Sequence, residues 1–307
     1  MTEPRHFLSL GQLSGEELGD LLDAADAAKA TPRSLASKLK NKQVALIFEK
    51  PSTRTRVSFE AAVNALGGEA IALRGDELQL GRGETLQDTA RVLSRYVDAL
   101  VVRTYGQERL EQLAEGASVP VINALSDYSH PCQGLADLQT IRESKGTLEG
   151  VALGYLGDGN NVAHSLMFGG ALAGMHVRIA SPAAHSPSPE VARRAELTAA
   201  QSGGSVVVTE VVAEAASGAD VLYTDVWASM GQEGTSEARA EALERYRLDS
   251  AAVELAADDV IVMHCLPAHR GEEIEVEVMD GPHSVVWDQA ENRLHTQKAL
   301  LAWLLGG

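Results

Sequence analysis

The 307-residue chain is poor in cysteine and in positive charge, and it has no long apolar run. Its two cysteines, Cys132 and Cys265, are too few for a disulfide framework, so a reducing cytoplasm is the expected location. The 26 basic and 43 acidic residues give a formal charge of −17, which argues against nucleic acid or an anionic membrane as partner. No segment approaches the ~20 apolar residues of a membrane span. Residues 1–16 lack a basic stretch followed by an apolar one, so no export signal is expected.

Short β-branched runs alternate with helical patterns along the whole chain, which predicts an α/β fold. About ten strands are predicted, which is many for one sheet. We therefore expect two Rossmann-like domains, each a parallel sheet flanked by helices. The expected domains are residues 1–133, with a terminal helix 288–307 packing back on them, and residues 134–287. The predicted strands are 44–48, 69–73, 98–103, 119–122, 150–156, 176–180, 205–209, 219–224, 259–263 and 284–287.

The local sequence predicts where two helices begin or end. Ser14 and Glu17 have the spacing of a capping box at the start of the first helix. A later helix carries Phe59 and further apolar residues at helical spacing, and it is expected to end at Gly67-Gly68.

The segment Ser52-Thr53-Arg54-Thr55-Arg56 lies between a predicted strand and a predicted helix. A helix start favours an anion, because its first N–H groups lack intrahelical partners and the helix dipole is positive there. Arginine adds bidentate, charge-assisted bonds to phosphate oxygens. The alternative is an ordinary N-cap with solvated arginines. The junction between strand and helix, in an otherwise acidic chain, favours a phosphate-type site.

Further polar segments also follow predicted strands at the point where each strand ends. In parallel α/β sheets, ligands bind at the carboxyl ends of the strands. We therefore expect one active site, in the cleft between the two domains. The segments that join 52–56 at these ends are Arg103, 158–161, Asp225 and 264–265.

Two motifs place a histidine close to a cysteine. The His-Pro-Cys-Gln motif at 130–133 offers an imidazole that can donate to a carbonyl or phosphate oxygen, although a satisfied histidine is the usual interpretation of such a residue alone. The His-Cys-Leu-Pro motif at 264–267 contains two residue types that can ligate a metal, His264 and Cys265. Zinc sites usually need four well-spaced ligands, so no metal is predicted. Cys265 can instead be a small polarisable contact to a reacting amine.

Three other segments allow a structural as well as a functional interpretation. Residues 157–161 suggest a dinucleotide site but lack the full G-x-G-x-x-G spacing; the amides of Asn160 and Asn161 can instead hold a carboxylate. Asp225 suits a substrate ammonium group, or it is a plain N-cap. Arg293, in the last predicted helix, would by itself be interpreted as a solvated charge.

These motifs together resemble the aspartate/ornithine carbamoyltransferase family, over effectively the whole chain. Several separate motifs in the right order are far more specific than any one of them. The matching stretches are 52–55, 79–81 with 84–85, 130–133, 158–161, 225–231, 264–267 and 291–293.

The resemblance implies transfer of the carbamoyl group of carbamoyl phosphate to the δ-amine of L-ornithine, which gives L-citrulline and phosphate. It implies a step of arginine biosynthesis, a homotrimer or an assembly of trimers, and no cofactor or metal. Arginine degradation and other acceptors (putrescine, N-acetylornithine or aspartate) are the alternatives within the family. An NAD-dependent dehydrogenase and a non-catalytic phosphate-binding protein are more distant alternatives.

The resemblance also implies roles for individual residues. Gln79 is expected to reach the phosphate from a neighbouring subunit. The expected catalytic residues are Arg54, Arg103, His130 and Cys265. The expected carbamoyl phosphate contacts are Ser52, Thr53, Arg54, Thr55, Gln79, Arg103, His130, Gln133, Cys265, Leu266 and Arg293. The expected ornithine contacts are Asn161, Asp225, Ser229 and Met230.

Overall fold

The strands that the structure describes form two parallel sheets, one of four strands and one of five. The structure is a computed structural model that describes residues 4–75, 83–227 and 236–306. It divides into a first unit, Met1–Leu135 with Asn292–Gly307, and a second unit, Ala136–Glu291. Each sheet lies in one unit and is flanked by helices, so the prediction of an α/β fold with two parallel sheets is confirmed.

The first unit contains the four-stranded sheet. Its strands are β1 (Gln43–Phe48), β2 (Glu69–Arg74), β3 (Ala99–Arg103) and β4 (Val121–Leu125), and its helices are α1 (Gly15–Ala30), α2 (Thr53–Ala65), α3 (Leu86–Leu93) and α4 (Gln107–Gly116). The strand order is β2-β1-β3-β4. Strand β3 is buried throughout and β1 along its middle, as expected for strands covered on both faces.

The second unit contains the five-stranded sheet. Its strands are β5 (Ala152–Leu156), β6 (His176–Ala180), β7 (Ser205–Thr209), β8 (Val221–Thr224) and β9 (Ile261–His264). The strand order is β7-β6-β5-β8-β9. The helices are α5 (Pro131–Lys145), α6 (Asn161–Leu172), α7 (Pro189–Ser202), α8 (Val212–Ala216), α9 (Ser236–Leu243), α10 (Ser250–Leu255), α11 (Val276–Met279) and α12 (Val286–Leu305). Helix α5 begins in the first unit, and helix α12 ends in it.

Each sheet packs its apolar side chains against helices. In the first unit, Leu110 and Leu113 of α4 pack with residues of β1 and β3 such as Ile47 and Val102. In the second unit, side chains of β5, β8 and β9 share a core with α8, α10 and α11. Within the described ranges, no helix combines the length and the apolar character that a bilayer span requires.

The two helix ends predicted from local sequence are confirmed. Ser14 Oγ accepts the amide of Glu17 at 3.1 Å, and Glu17 Oε2 accepts the amide of Ser14 at 2.9 Å, which completes the capping box. Helix α2 ends at Ala65, and Gly67 follows with φ +83°. A Cβ at Gly67 would lie 2.8 Å from the carbonyl oxygen of Ala36, so this turn requires glycine for both backbone angle and space.

The predicted strand at 284–287 is wrong. Ser284 makes one isolated bridge to Val262, and helix α12 already begins at Val286. The apolar run there is too short for periodicity to separate a strand from the first turn of a helix. Val286 is fully buried in the core of the second unit. Its place in a helix is therefore set by packing against distant segments and not by the local pattern.

Candidate active site

The polar residues of the first unit collect at the carboxyl edge of its sheet. Strands β1 and β3 are hydrogen-bonded neighbours, and Phe48, the last residue of β1, is in register with Arg103, the last residue of β3. The chain that follows β1 therefore starts beside Arg103. It reaches Ser52, where helix α2 begins, after three residues.

Helix α2 presents an uncompensated positive end at this edge. Ser52 is the N-cap, and its Oγ accepts the amide of Thr55 at 3.3 Å. No acidic residue occupies the first turn, so no side chain of the helix offsets the dipole there. Arg54 and Arg56 are both exposed, and Arg56 Nε lies 2.9 Å from Glu60 Oε1. The N-cap interpretation is thus correct, and it is compatible with an anion site at the same turn.

A buried arginine links helix α12 to this turn. Arg293 donates through Nη1 to Gln133 Oε1 at 2.7 Å and through Nη2 to Thr55 Oγ1 at 3.3 Å. Only 6% of Arg293 is exposed, so its interpretation as a solvated charge is wrong. The reason is tertiary: α12 returns to the first unit and directs this side chain inward.

His130 is buried among positive charges just before helix α5. Its pKa lies well below 6.5, first because the ring is buried, and then because Arg293, Arg103 and Arg54 all oppose a positive charge there. The imidazole is therefore neutral at pH 7 and can donate one N–H bond. Three guanidinium groups acting on one neutral ring give this position a positive potential, which would favour an anion.

Cys132 has no chemical role in this arrangement. Burial raises the pKa of its thiol to about 12, although the charge of Arg293 acts in the opposite direction. A thiol with that pKa is not a nucleophile at neutral pH. Its Sγ donates instead to the carbonyl oxygen of Asn123 at 3.4 Å, which ties the start of α5 to strand β4.

The second unit gathers a different set of polar residues at the carboxyl edge of its own sheet. Strands β5, β8 and β9 are consecutive in the sheet, so the residues that follow them meet there. Asp225 is buried at the centre. Its Oδ2 accepts from Asn160 Nδ2 at 2.7 Å, and its Oδ1 accepts from the Val226 amide at 2.8 Å and from Cys265 Sγ at 2.7 Å.

Asn160 and Asn161 have separate positions at the start of helix α6. Asn160 is the N-cap: its Oδ1 accepts the amides of Val162 and Ala163 at 2.9 and 3.3 Å, while its Nδ2 binds Asp225. Asn161 is the first residue of the helix and is half-buried. The sequence could not separate these roles, because the two asparagines are adjacent and chemically identical.

Comparison with known proteins identifies the family. Residues 5–143 match the model of the aspartate/ornithine carbamoyltransferase carbamoyl-P binding domain, and residues 149–304 match that of the Asp/Orn binding domain. The chain belongs to the aspartate/ornithine carbamoyltransferase family. A protein named ornithine carbamoyltransferase from Parafrankia sp. (strain EAN1pec) is 60% identical over 304 residues, which cover 98% of this chain and 96% of that protein.

Two archaeal comparisons extend the match to structure. A Pyrococcus furiosus protein named "Ornithine carbamoyltransferase, anabolic" is 52% identical over 308 residues, covering 99% of this chain and 97% of that protein. The solved structure titled ornithine carbamoyltransferase from Pyrococcus furiosus superposes with a TM-score of 0.96 at 52% identity, covering 99% of this chain and 98% of that chain. The family match therefore extends over the whole fold.

Two glycines after β5 meet different local requirements of the backbone. Gly157 has φ +133°, a backbone angle that other residues rarely adopt. A Cβ at Gly159 would lie 2.3 Å from the backbone nitrogen of Pro187. Gly157 is thus explained by its backbone angle, and Gly159 by the close approach of the loop at Pro187.

Some of the other expected contacts lie within the described residues and others lie outside them. Leu266 lies beside Cys265 with φ +59°. Gln79, Ser229 and Met230 lie outside the described residues, so their expected roles remain predictions.

Asp225, His264 and Cys265 bring possible metal-ligand atoms within 4.8 Å of one another. Hydrogen bonds already account for that cluster. Cys265 Sγ is bonded to Asp225, and the ring nitrogens of His264 are engaged by the Leu266 amide at 2.9 Å and by Glu273 Oε1 at 3.1 Å. The absence of a metal stays a prediction.

One ion pair of the second unit has no signal in the sequence. Arg239 of α9 binds the buried carboxylate of Asp158, and His185 Nδ1 lies 3.7 Å from the same group. Burial raises the pKa of Asp158, while the charge of Arg239 acts against that rise. Arg239 is separated from Asp158 by 81 residues, so only the tertiary structure brings the two together.

Proposed function

We propose that this chain is an ornithine carbamoyltransferase, which transfers the carbamoyl group of carbamoyl phosphate to the δ-amine of L-ornithine and releases L-citrulline and phosphate. The observation that carries this proposal is that three arginine charges, those of Arg54 at the start of helix α2, Arg103 and Arg293, all act on the neutral, buried His130. The relatives named ornithine carbamoyltransferase support the same reaction.

The first unit suits the donor substrate. In our proposal, residues 1–133 with 288–307 form the carbamoyl phosphate-binding domain. Ser52, Thr53 and Arg54 hold the phosphate at the helix start, where free amides and the dipole favour an anion. Arg293 completes the anion pocket, and Gln79 reaches it from a neighbouring subunit of a trimer.

The carbonyl oxygen of the donor gains negative charge when the amine attacks. We assign its stabilisation to Arg103, His130 and Thr55, acting as an oxyanion hole. Loss of one such donor typically lowers the rate by ~10²–10³-fold. A neutral imidazole is suited to this role, because it donates a hydrogen bond without needing to lose a proton.

The carbamoyl NH2 group needs acceptors, and two carbonyl oxygens are proposed for it. Gln133 Oε1 accepts from Arg293 Nη1 at 2.7 Å, and this bond fixes the orientation of the Gln133 carbonyl oxygen. The backbone oxygen of Leu266 is the other proposed acceptor. Phosphate is a good leaving group, so the reaction needs no covalent intermediate.

The second unit suits the amine. We propose residues 134–287 as the ornithine-binding domain, with Asp225 pairing with the α-ammonium group and Asn161 binding the α-carboxylate. Ser229 and Met230 complete the ornithine contacts, and Cys265 lies near the attacking δ-amine. That amine should resemble lysine, with a pKa of about 10.4 in water. The site must therefore select or generate its neutral form.

The arrangement around Asp225 favours ornithine over the other amines. N-acetylornithine lacks the α-ammonium group that the carboxylate would bind, and putrescine lacks the α-carboxylate that Asn161 would bind. Aspartate as a substrate would need basic groups to bind its side-chain carboxylate. The groups that bond Asp225 are instead Asn160, the Val226 amide and Cys265.

The test is phosphate release and carbamoyl-product formation with carbamoyl phosphate and each of the four amines. We expect kcat/KM for ornithine to exceed the others by at least about 10²-fold, since a buried polar group left without its partner discriminates by that order. Higher activity with any other amine would refute the proposal. Phosphate binding without turnover of any amine would favour the non-catalytic alternative.

We further propose a cytoplasmic homotrimer that acts in the biosynthetic direction. Cys132 and Cys265 form no disulfide, in keeping with a reducing compartment, and one relative is named anabolic. Solution mass measurement tests the trimer. Comparison of citrulline synthesis with citrulline phosphorolysis at equal substrate concentrations tests the direction.

A further inference from the structure

We propose that Glu273 is a positioning residue that fixes the loop carrying Cys265 and Leu266, acting through the imidazole of His264. Glu273 bonds the His264 side chain and the His269 backbone amide, which lie on either side of that loop. Its relevance to catalysis rests on that proposed function, whereas its effect on the loop does not.

One carboxylate oxygen closes the loop at both ends. Glu273 Oε1 lies 3.1 Å from Nε2 of His264, which precedes the loop, and it accepts the backbone amide of His269, which follows it, at 2.5 Å. The side chains of Glu273 and His264 are both 0% exposed. Residues 265–268 are therefore tied at their two ends to a single buried oxygen.

The hydrogen bonds define the form of the imidazole. His264 Nδ1 accepts the backbone amide of Leu266 at 2.9 Å, so the ring proton resides on Nε2 and is donated to Glu273. The backbone amide of His264 is in turn held by Gln289 Oε1 at 2.9 Å. The imidazole thus bridges the buried Glu273 carboxylate and the Leu266 amide, so the position of the carboxylate determines the position of that amide.

The loop needs this support because its backbone is unusual at the functional position. Leu266 has φ +59°, a left-handed conformation that is costly for a residue with a branched side chain. Such conformations persist only where surrounding contacts over-determine them. The contacts that do so here are the bond from the Leu266 amide to His264 and the bond from Cys265 Sγ to Asp225.

Replacement of Glu273 by Met tests the proposal, because it keeps a similar volume and removes the acceptor. We expect kcat of citrulline formation to fall by about 10²-fold, the effect of misplacing reacting groups by about 1 Å. Glu273→Gln retains a carbonyl oxygen for both N–H donors and should stay within about threefold of wild type. Glu272→Met is the matched control, since that neighbouring side chain is 64% exposed and its Oε2 lies 3.8 Å from His269 Nδ1.

Alkylation of Cys265 by iodoacetamide gives a readout that does not depend on activity. Cys132 is buried with a thiol pKa of about 12, so Cys265 is the cysteine expected to react. Loss of the two hydrogen bonds to Glu273 Oε1 should raise loop opening, and hence the alkylation rate in Glu273→Met, by at least about tenfold. Glu273→Gln and Glu272→Met should keep the wild-type rate. Affinity for inorganic phosphate should be unchanged in all three variants, because Ser52–Thr55 belongs to the first unit.

The outcomes are distinguishable. Faster alkylation and lower kcat in Glu273→Met, with Gln rescue and normal phosphate affinity, support the proposal. An unchanged alkylation rate, or equal effects of Met and Gln, would overturn it. If Glu273→Met does not fold, His264→Asn carries the same test, since asparagine can replace Nδ1 towards Leu266 but does not reach Glu273. If the wild type makes no citrulline, the proposed function fails while the alkylation comparison still decides the role of Glu273.

Discussion

Arg54 and Arg56 offer a matched pair for testing the anion site. Both are exposed and both lie in the first turns of helix α2, two residues apart. Their charges act on different groups: Arg54 is among the arginines that depress the pKa of His130, whereas Arg56 pairs with Glu60 at 2.9 Å. Alanine at each position removes the same side chain from the same helix.

The expected effects differ by two orders of magnitude in activity and hardly at all in stability. A charge-assisted hydrogen bond to a phosphate oxygen contributes about 3 kcal/mol, which corresponds to roughly 10²-fold in kcat/KM. Arg54→Ala should lose at least that much. Both variants should keep the free energy of unfolding within about 0.5 kcal/mol of wild type, since exposed positions and surface i,i+4 pairs contribute little.

The assay is steady-state citrulline formation at varied carbamoyl phosphate, together with urea unfolding of each variant. Arg56→Ala should retain kcat/KM within about threefold of wild type, as expected for an exposed surface pair. An Arg54→Ala enzyme with near-normal kcat/KM would refute the placement of the phosphate at this helix start. Equal losses in both variants would refute the distinction between the two arginines.

Three further predictions concern the two half-sites. Arg293→Met should raise the pKa of His130, measured by NMR titration, because one of the positive charges that depress it is removed. The same substitution should lower the free energy of unfolding by about 2–4 kcal/mol, because Gln133 and Thr55 lose a buried donor. An unchanged histidine pKa would contradict this prediction. The folded-state pKa of His130 lies below 6.5, so below that pH the unfolded chain binds one more proton than the folded chain. As the pH is lowered through this range, the free energy of unfolding should therefore fall more steeply in wild type than in His130→Gln, by about 1.4 kcal/mol per pH unit. Identical pH slopes in urea titrations from pH 7.5 to 5 would show that the ring is not held neutral. Asp225→Asn should raise KM for ornithine by at least about 10²-fold while phosphate affinity stays normal; calorimetric phosphate binding and initial rates measure both, and an unaltered KM would remove Asp225 from the amine site.

The sequence predicted the elements of this fold far better than it predicted side-chain environments. The capping box at Ser14 and the helix end before Gly67 depend on neighbours within a few residues, so local pattern was sufficient. The strand predicted at 284–287 failed, since the choice between strand and helix there depends on burial of Val286 in a core built from distant segments.

By itself, the sequence determined the alternation of strands and helices and the position of polar residues at strand ends, and it predicts an anion site at 52–56. These properties follow from chain order, hydrophobic pattern and residue chemistry. Only the tertiary structure decided which polar groups meet. It buried Arg293 against Gln133 and Thr55, bonded Asn160 to Asp225, and set Glu273 against His264. The physical reason is that burial and charge environment depend on strand order and helix packing, which join residues far apart in the chain.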